Sequence, residues 1–158
     1  MGQTTATQAA RPGWNLMGDT KMRFMMMVKA DKNYEAGAPP NPELMAAIGQ
    51  HAQDMINQGK LLESGGLLPS SAGARVRVAG GKLTVVDGPF TEAKELIGGY
   101  AIMQAESKAE AIELGKHFMK LHADVLGAAY EGELEIRQLA EFAPHDENHP
   151  VAGATRAS

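Results

Sequence analysis

Apolar positions along the chain fall into patterns that predict strands. Continuous apolar runs at 22–29 and 96–104 indicate strands that are covered on both faces. Residues 133–139 alternate between polar and apolar, which predicts a half-exposed final strand. Residues 61–68 predict another strand, with a bulge or bend at a pair of glycines.

Two segments between these runs have helical spacing, with apolar residues every three or four positions. The first begins at Asn41, which is followed by a proline and an acid, and it is predicted to run to about Gln58. The second begins with a capping box at 107–110 and is predicted to end near His122. Each helix therefore has one face available for a core.

Residues 75–79 and 82–87 flank Gly80-Gly81, a signal for a β-hairpin. The whole order predicts an α+β fold, a ferredoxin-like sandwich with an antiparallel sheet, both helices on one face and an inserted β-hairpin. The continuous apolar runs leave the other sheet face hydrophobic, and a second copy of the same sheet is the simplest cover. We therefore expect a homodimer that is joined through its sheet faces.

Composition narrows the class of protein. The chain has 158 residues, 44% apolar and 22% charged, which is ordinary for one soluble domain. We place that domain at 21–142, between an N-terminal extension at 1–20 and a tail at 143–158, both expected to be mobile. A net charge of −4 argues against nucleic-acid and membrane partners, and no apolar run approaches the roughly 20 residues of a membrane span. A cytoplasmic location is the expectation.

Two residues are candidates for acid–base chemistry. Asp87 ends a strand, where its carboxylate would act as a general base or as a hydrogen-bond acceptor toward a ligand between helices and sheet. The alternative is that Asp87 caps the following turn through the N–H group of Phe90 or Thr91. His51, on the apolar side of the first helix, is either the acid or orienting partner of Asp87 or a hydrogen-bonded packing residue.

Four more residues near this turn are candidate substrate contacts, namely Phe90, Glu92, Lys94 and Tyr100. Alternatively, the ring of Phe90 plugs the turn, and the charged residues form ion pairs that contribute little stability. The sequence has no glycine-rich phosphate loop, nucleophile elbow or metal cluster, so we expect no cofactor and no metal.

Several short motifs occur in a fixed order and together resemble the YciI-like family, in particular its DGPF subgroup, over about residues 22–142. They are Met-Val-Lys-Ala-Asp at 27–31, Glu-Ala-Gly at 35–37, Pro-Ser-Ser at 69–71, Gly-Ala-Arg-Val at 73–76, Asp-Gly-Pro-Phe at 87–90, Glu92, Lys-Glu-Leu-Ile-Gly-Gly at 94–99 and Glu-Ile-Arg at 135–137. The resemblance implies a dimeric α+β barrel that places ligands between sheet and helices. Some relatives are lyases that remove HCl from chlorinated aromatic intermediates with a His–Asp pair. Subgroup genes often lie beside genes for extracytoplasmic-function sigma factors.

The chain departs from that pattern at two places. The histidine of the lyase-type His–Asp pair corresponds to a position near Ile48, one helical turn before His51. Gly65 and Leu68 stand where many subgroup members carry Glu and His. Two functions therefore stay open. One is a small-molecule-binding cleft protein that acts as a cofactor-free acid–base enzyme of the lyase or isomerase type. The other is a non-catalytic accessory or ligand-sensing protein associated with sigma-factor regulation.

Overall fold

Six β-strands and three α-helices follow one another within residues 21–141, the part of the chain that this computed structural model describes. They are β1 (Met22–Lys29), α1 (Lys32–Glu35), α2 (Pro42–Asn57), β2 (Leu61–Gly66), β3 (Ala74–Ala79), β4 (Lys82–Asp87), β5 (Ile97–Ala105), α3 (Lys108–Leu126) and β6 (Leu134–Gln138). All of them belong to one unit, Lys21–Leu139. The predicted extension at 1–20 and tail at 143–158 lie outside the described residues.

Four strands form an antiparallel sheet in the order β2-β5-β1-β6, and β3 pairs with β4 in a separate two-stranded sheet. In the centre of the larger sheet, Met26 lies opposite Ala101 of β5 and Ile136 of β6. Antiparallel sheets combined with helices confirm the predicted α+β class.

Local signals explain where the two long helices begin. The side chain of Asn41 accepts a hydrogen bond from the Leu44 N–H at 3.1 Å, and Ser107 Oγ accepts one from the Glu110 N–H at 3.1 Å. The prediction for the end of α3 was wrong by one turn, because the helix continues past His122 to Leu126. It ends where Gly127 takes a φ of 87°, a conformation that favours glycine.

The segment after β1 contains the one-turn helix α1. Asp31 caps this turn by accepting a hydrogen bond from the Tyr34 N–H at 2.6 Å. The Tyr34 hydroxyl in turn donates to the Leu67 carbonyl. The turn therefore joins the end of β1 to the segment after β2.

The core lies on one face of the larger sheet and beneath α3. Its buried members are Phe24, Met26, Met103, Ala105, Ala111 and Leu114. Helix α3 comes close to β6 at Gly115, where a Cβ would lie 2.7 Å from Ile136 Cδ1. Ile112, on the same helix, is 36% exposed. Helix α2 buries only Leu44 fully, so it packs more loosely than α3.

The predicted hairpin is present, with Gly80 and Gly81 at positive φ in its turn. Every residue of β3 and β4 is exposed in the single chain. One face of the ribbon carries four apolar side chains that are 66–74% exposed, namely Val76, Val78, Leu83 and Val85. The hairpin therefore adds little to the core of its own chain.

Candidate ligand-binding site

A cavity of about 460 Å³ lies between the sheet and helices α2 and α3. Much of its wall is apolar, with Met26 and Met103 from the sheet, Ile48 and Met55 from α2, and Phe118 from α3. Helix α2, which lines this cavity, buries only Leu44, whereas α3 buries four residues. A largely apolar pocket with a few polar groups is the usual form of a small-molecule site.

Four rings among the residues that line this cavity form a row. His51 and Phe118 have ring centroids 6.1 Å apart, Phe118 meets His122 edge to face at 4.6 Å, and His122 stacks on Tyr130 at 5.8 Å. All four residues line the cavity. The row therefore brings polar ring atoms from α2, α3 and the segment after α3 to one apolar space.

The two histidines of the row are held differently. His122 is 6% exposed, and its Nδ1 lies 2.9 Å from the Phe118 carbonyl oxygen. His51 is half-buried, and this burial lowers its pKa, since a charged imidazole loses hydration there. The nearby His117 lowers the pKa further, and Asp54 partly opposes both effects. A His51 pKa below its ordinary value keeps this ring neutral near pH 7.

Tyr130, at the end of the row, has its pKa raised, first by burial and then by the negative charge of Asp31. Its hydroxyl therefore stays protonated across the neutral range. A neutral phenol can both donate and accept a hydrogen bond.

The structure does not bring Asp87 to this cavity. Asp87 ends β4, is exposed and pairs with Ala74, and it is not among the described residues that line the cavity. Of the predicted acid–base pair, only His51 borders the cavity. The predicted cap from Asp87 to the Phe90 N–H is also not formed, because that N–H donates to Ser70 Oγ at 3.0 Å.

The motif residues around Asp87 form a structural cluster. Glu35 accepts two hydrogen bonds from Ser70, from its N–H at 2.9 Å and its Oγ at 2.5 Å. The Gly88 N–H donates to the Gly73 carbonyl at 2.9 Å, and the Arg75 guanidinium lies 3.9 Å from the centre of the Phe90 ring. These contacts join α1, the 3₁₀ turn Ser70–Ala72 and the base of the hairpin.

The remaining predicted contacts lie apart from the row of rings. Tyr100 borders the cavity, but the strand register places its side chain on the same sheet face as Met27, opposite the face of Met26. Its hydroxyl donates to Glu63 at 3.1 Å, and this carboxylate raises the Tyr100 pKa. Glu92 and Lys94 are exposed and are not among the described lining residues.

Sequence reasoning missed three members of the row, namely Phe118, His122 and Tyr130, as parts of a site. One signal was present, since His122 follows Phe118 by four positions and therefore shares its helix face. That face was interpreted as core, and His122 only as the end of the helix. Nothing local indicated that Tyr130 would stack on His122.

Comparison with known proteins identifies the family. A model of the YCII-related domain matches residues 22–142, which is most of the chain. The chain belongs to the YCII-related family. An uncharacterised protein of Rhizobium meliloti (strain 1021) is 30% identical over 89 residues, which are 56% of this chain and 67% of that relative. Its description names no activity, so the comparison shows family membership and no reaction.

Residues 21–141 of this YCII-related chain contain three α-helices. None of the helices there combines the length and apolar content that a membrane crossing requires. No group of three or more His, Cys, Asp or Glu side chains there is arranged to hold a metal ion.

Proposed function

We propose that this YCII-related protein binds a small organic molecule in the cavity between its sheet and helices α2 and α3. The observation that carries the proposal is the row His51–Phe118–His122–Tyr130 along an apolar cavity of about 460 Å³. Apolar walls supply most of the binding free energy, and the few polar ring atoms supply orientation.

Cofactor-free proton transfer of the lyase or isomerase type is the reaction that this site would support. A neutral His51 can accept a proton, and its lowered pKa is the condition under which it does so near pH 7. Asp87 is not among the described residues that line the cavity, so the acid–base role proposed here belongs to His51.

Ligand sensing without turnover is the second candidate. Its supporting observation is that the hydrogen bonds of Glu35, Ser70 and Phe90 hold the motif region at the hairpin base. Asp87 is not among the described cavity residues, so the motif contributes no acid–base group to the cavity. The link to sigma-factor regulation stays a prediction, as does the cytoplasmic location.

A thermal-shift screen with small aromatic and apolar metabolites tests the binding proposal. A ligand that binds only the native state raises its melting temperature. We expect at least one compound to raise that of the wild type by several degrees, and Ala52→Phe, which fills the cavity wall, to abolish the shift. Ala46→Phe is the matched control, because Ala46 lies on the exposed side of the same helix. No shift in the wild type, or an equal shift in Ala52→Phe, would contradict the proposal.

We also propose that the chain belongs to the DGPF subgroup, on its Asp87–Phe90 motif, and that it folds as a ferredoxin-like sandwich that pairs into a dimeric α+β barrel. The sheet face away from α3 carries Met25, Met27 and Ile102, which supports a homodimer joined through that face. Light scattering after gel filtration should find a dimer, and Met25→Glu should shift it toward the monomer. Ile112→Glu, on the outer side of α3, should leave the dimer intact. A monomeric wild type would contradict this proposal.

A further inference from the structure

The His122 ring is fixed on three sides. The Phe118 ring meets it edge to face, the Tyr130 ring stacks on it, and its Nδ1 lies 2.9 Å from the Phe118 carbonyl oxygen. A carbonyl oxygen can only accept, so Nδ1 carries the hydrogen and donates it. In the neutral imidazole the other nitrogen, Nε2, then has no hydrogen and presents a lone pair.

That lone pair is available to a ligand. Nε2 of His122 has no hydrogen-bond partner among the described residues. Every fully buried side-chain nitrogen or oxygen in residues 21–141 has a hydrogen-bond partner, so Nε2 is not fully buried. Nε2 is therefore accessible, although His122 as a whole is only 6% exposed. His122 also lines the cavity, so its ring borders the space that a ligand would occupy.

The charges around the cavity favour an uncharged ligand. Lys29 is the only lysine or arginine among the described residues that line the cavity. Its Nζ lies 3.4 Å from a carboxylate oxygen of Glu95 and 3.6 Å from one of Glu135. A carboxylate ligand would therefore find no free cation there. Asp31, another lining residue, adds negative charge.

We propose that Nε2 of His122 is the hydrogen-bond acceptor that orients ligands in this cavity, and that the ligands are uncharged, largely apolar molecules with one O–H or N–H donor. This inference rests on the proposed binding function. It adds the acceptor atom and the chemical class of the ligand. This role as a fixed acceptor differs from that of His51. Among the described contacts, the half-buried ring of His51 makes no hydrogen bond that would fix its tautomer.

Two matched probes test the inference, 2-naphthol with a hydroxyl donor and 2-methoxynaphthalene with that donor methylated. Binding is measured by probe fluorescence on the full chain. One hydrogen bond corresponds to about tenfold in affinity, so the wild type should bind 2-naphthol about tenfold more tightly than the ether. His122→Phe should remove this preference and still bind the ether. His117→Phe is the control, because His117 lies on the same helix and is not among the described cavity residues.

Nitrogen-15 NMR of the wild type keeps the inference testable if His122→Phe fails to fold. We expect a protonated Nδ1 and an unprotonated Nε2 in the neutral ring, and a shift of the Nε2 resonance on adding 2-naphthol but not the ether. Equal binding of the two probes, or a neutral ring protonated on Nε2, would overturn the role of His122 and leave cavity binding standing. Binding of neither probe would count against the proposed function itself and the inference with it.

Discussion

Replacing Gly88 by alanine should destabilise this protein strongly. An ideal Cβ at Gly88 would lie 1.6 Å from the Ser70 carbonyl oxygen and 2.5 Å from the Ser70 carbonyl carbon. Both are backbone atoms, so no side-chain rotation relieves the overlap. Carbon and oxygen that are not bonded approach to roughly 3.3 Å, so one of the two backbone segments would have to move by roughly 1.7 Å.

Movement of Ser70 would break its hydrogen bonds. Its N–H and Oγ both donate to Glu35, and its Oγ accepts from the Phe90 N–H. A hydrogen bond to a charged group contributes about 1.5–3 kcal/mol, and a neutral one about 0.5–1.5 kcal/mol. Loss of two of the three therefore predicts a fall of about 3 kcal/mol in the free energy of unfolding.

Urea unfolding followed by circular dichroism measures this change for the whole chain. Hydrogen exchange at the Gly88 N–H, which donates to the Gly73 carbonyl, reports whether the hairpin base opens first. Gly66→Ala is the matched control, because a Cβ there meets nothing within 4 Å. If Gly88→Ala were as stable as the wild type to within about 0.5 kcal/mol, the size of ordinary surface effects, the close approach to Ser70 would be refuted.

Three further substitutions test other parts of the structure. Glu35→Gln should lower the free energy of unfolding by about 1–2 kcal/mol, because both hydrogen bonds from Ser70 lose their charged acceptor. An unchanged midpoint of urea unfolding would contradict this. Gly49→Ala should raise the free energy of unfolding by up to about 1 kcal/mol, because alanine favours the helix more than glycine does and a Cβ at this position of α2 meets no atom within 4 Å. A decrease would contradict the open space around Gly49. Because its folded-state pKa is lowered, His51 binds more protons in the unfolded state and costs stability as the pH falls below about 6.5. The stability of His51→Phe should therefore depend less on pH between about 5 and 7 than that of the wild type, and parallel curves would contradict the shift.

The hairpin and the strands were predictable because their signals lie within a few residues. Gly80-Gly81 supplies the turn, and continuous apolar runs predict β1 and β5, which the structure places in the centre of the larger sheet. The end of α3 was less predictable, because the pattern alone did not show that Leu126 would still contact the cavity before Gly127 ended the helix. The site was predictable only in part, through His51 and Tyr100, which both border the cavity.

The sequence by itself determined the α+β class, the starts of α2 and α3 and the turn of the hairpin, since caps, turn residues and apolar periodicity act between near neighbours. Only the tertiary structure decided which polar groups meet. It stacked Tyr130 on His122, left Asp87 outside the cavity and turned the motif at 87–90 toward Ser70. The physical reason is that such contacts depend on how closely each helix approaches the sheet, and that distance is set by packing between residues far apart in the chain.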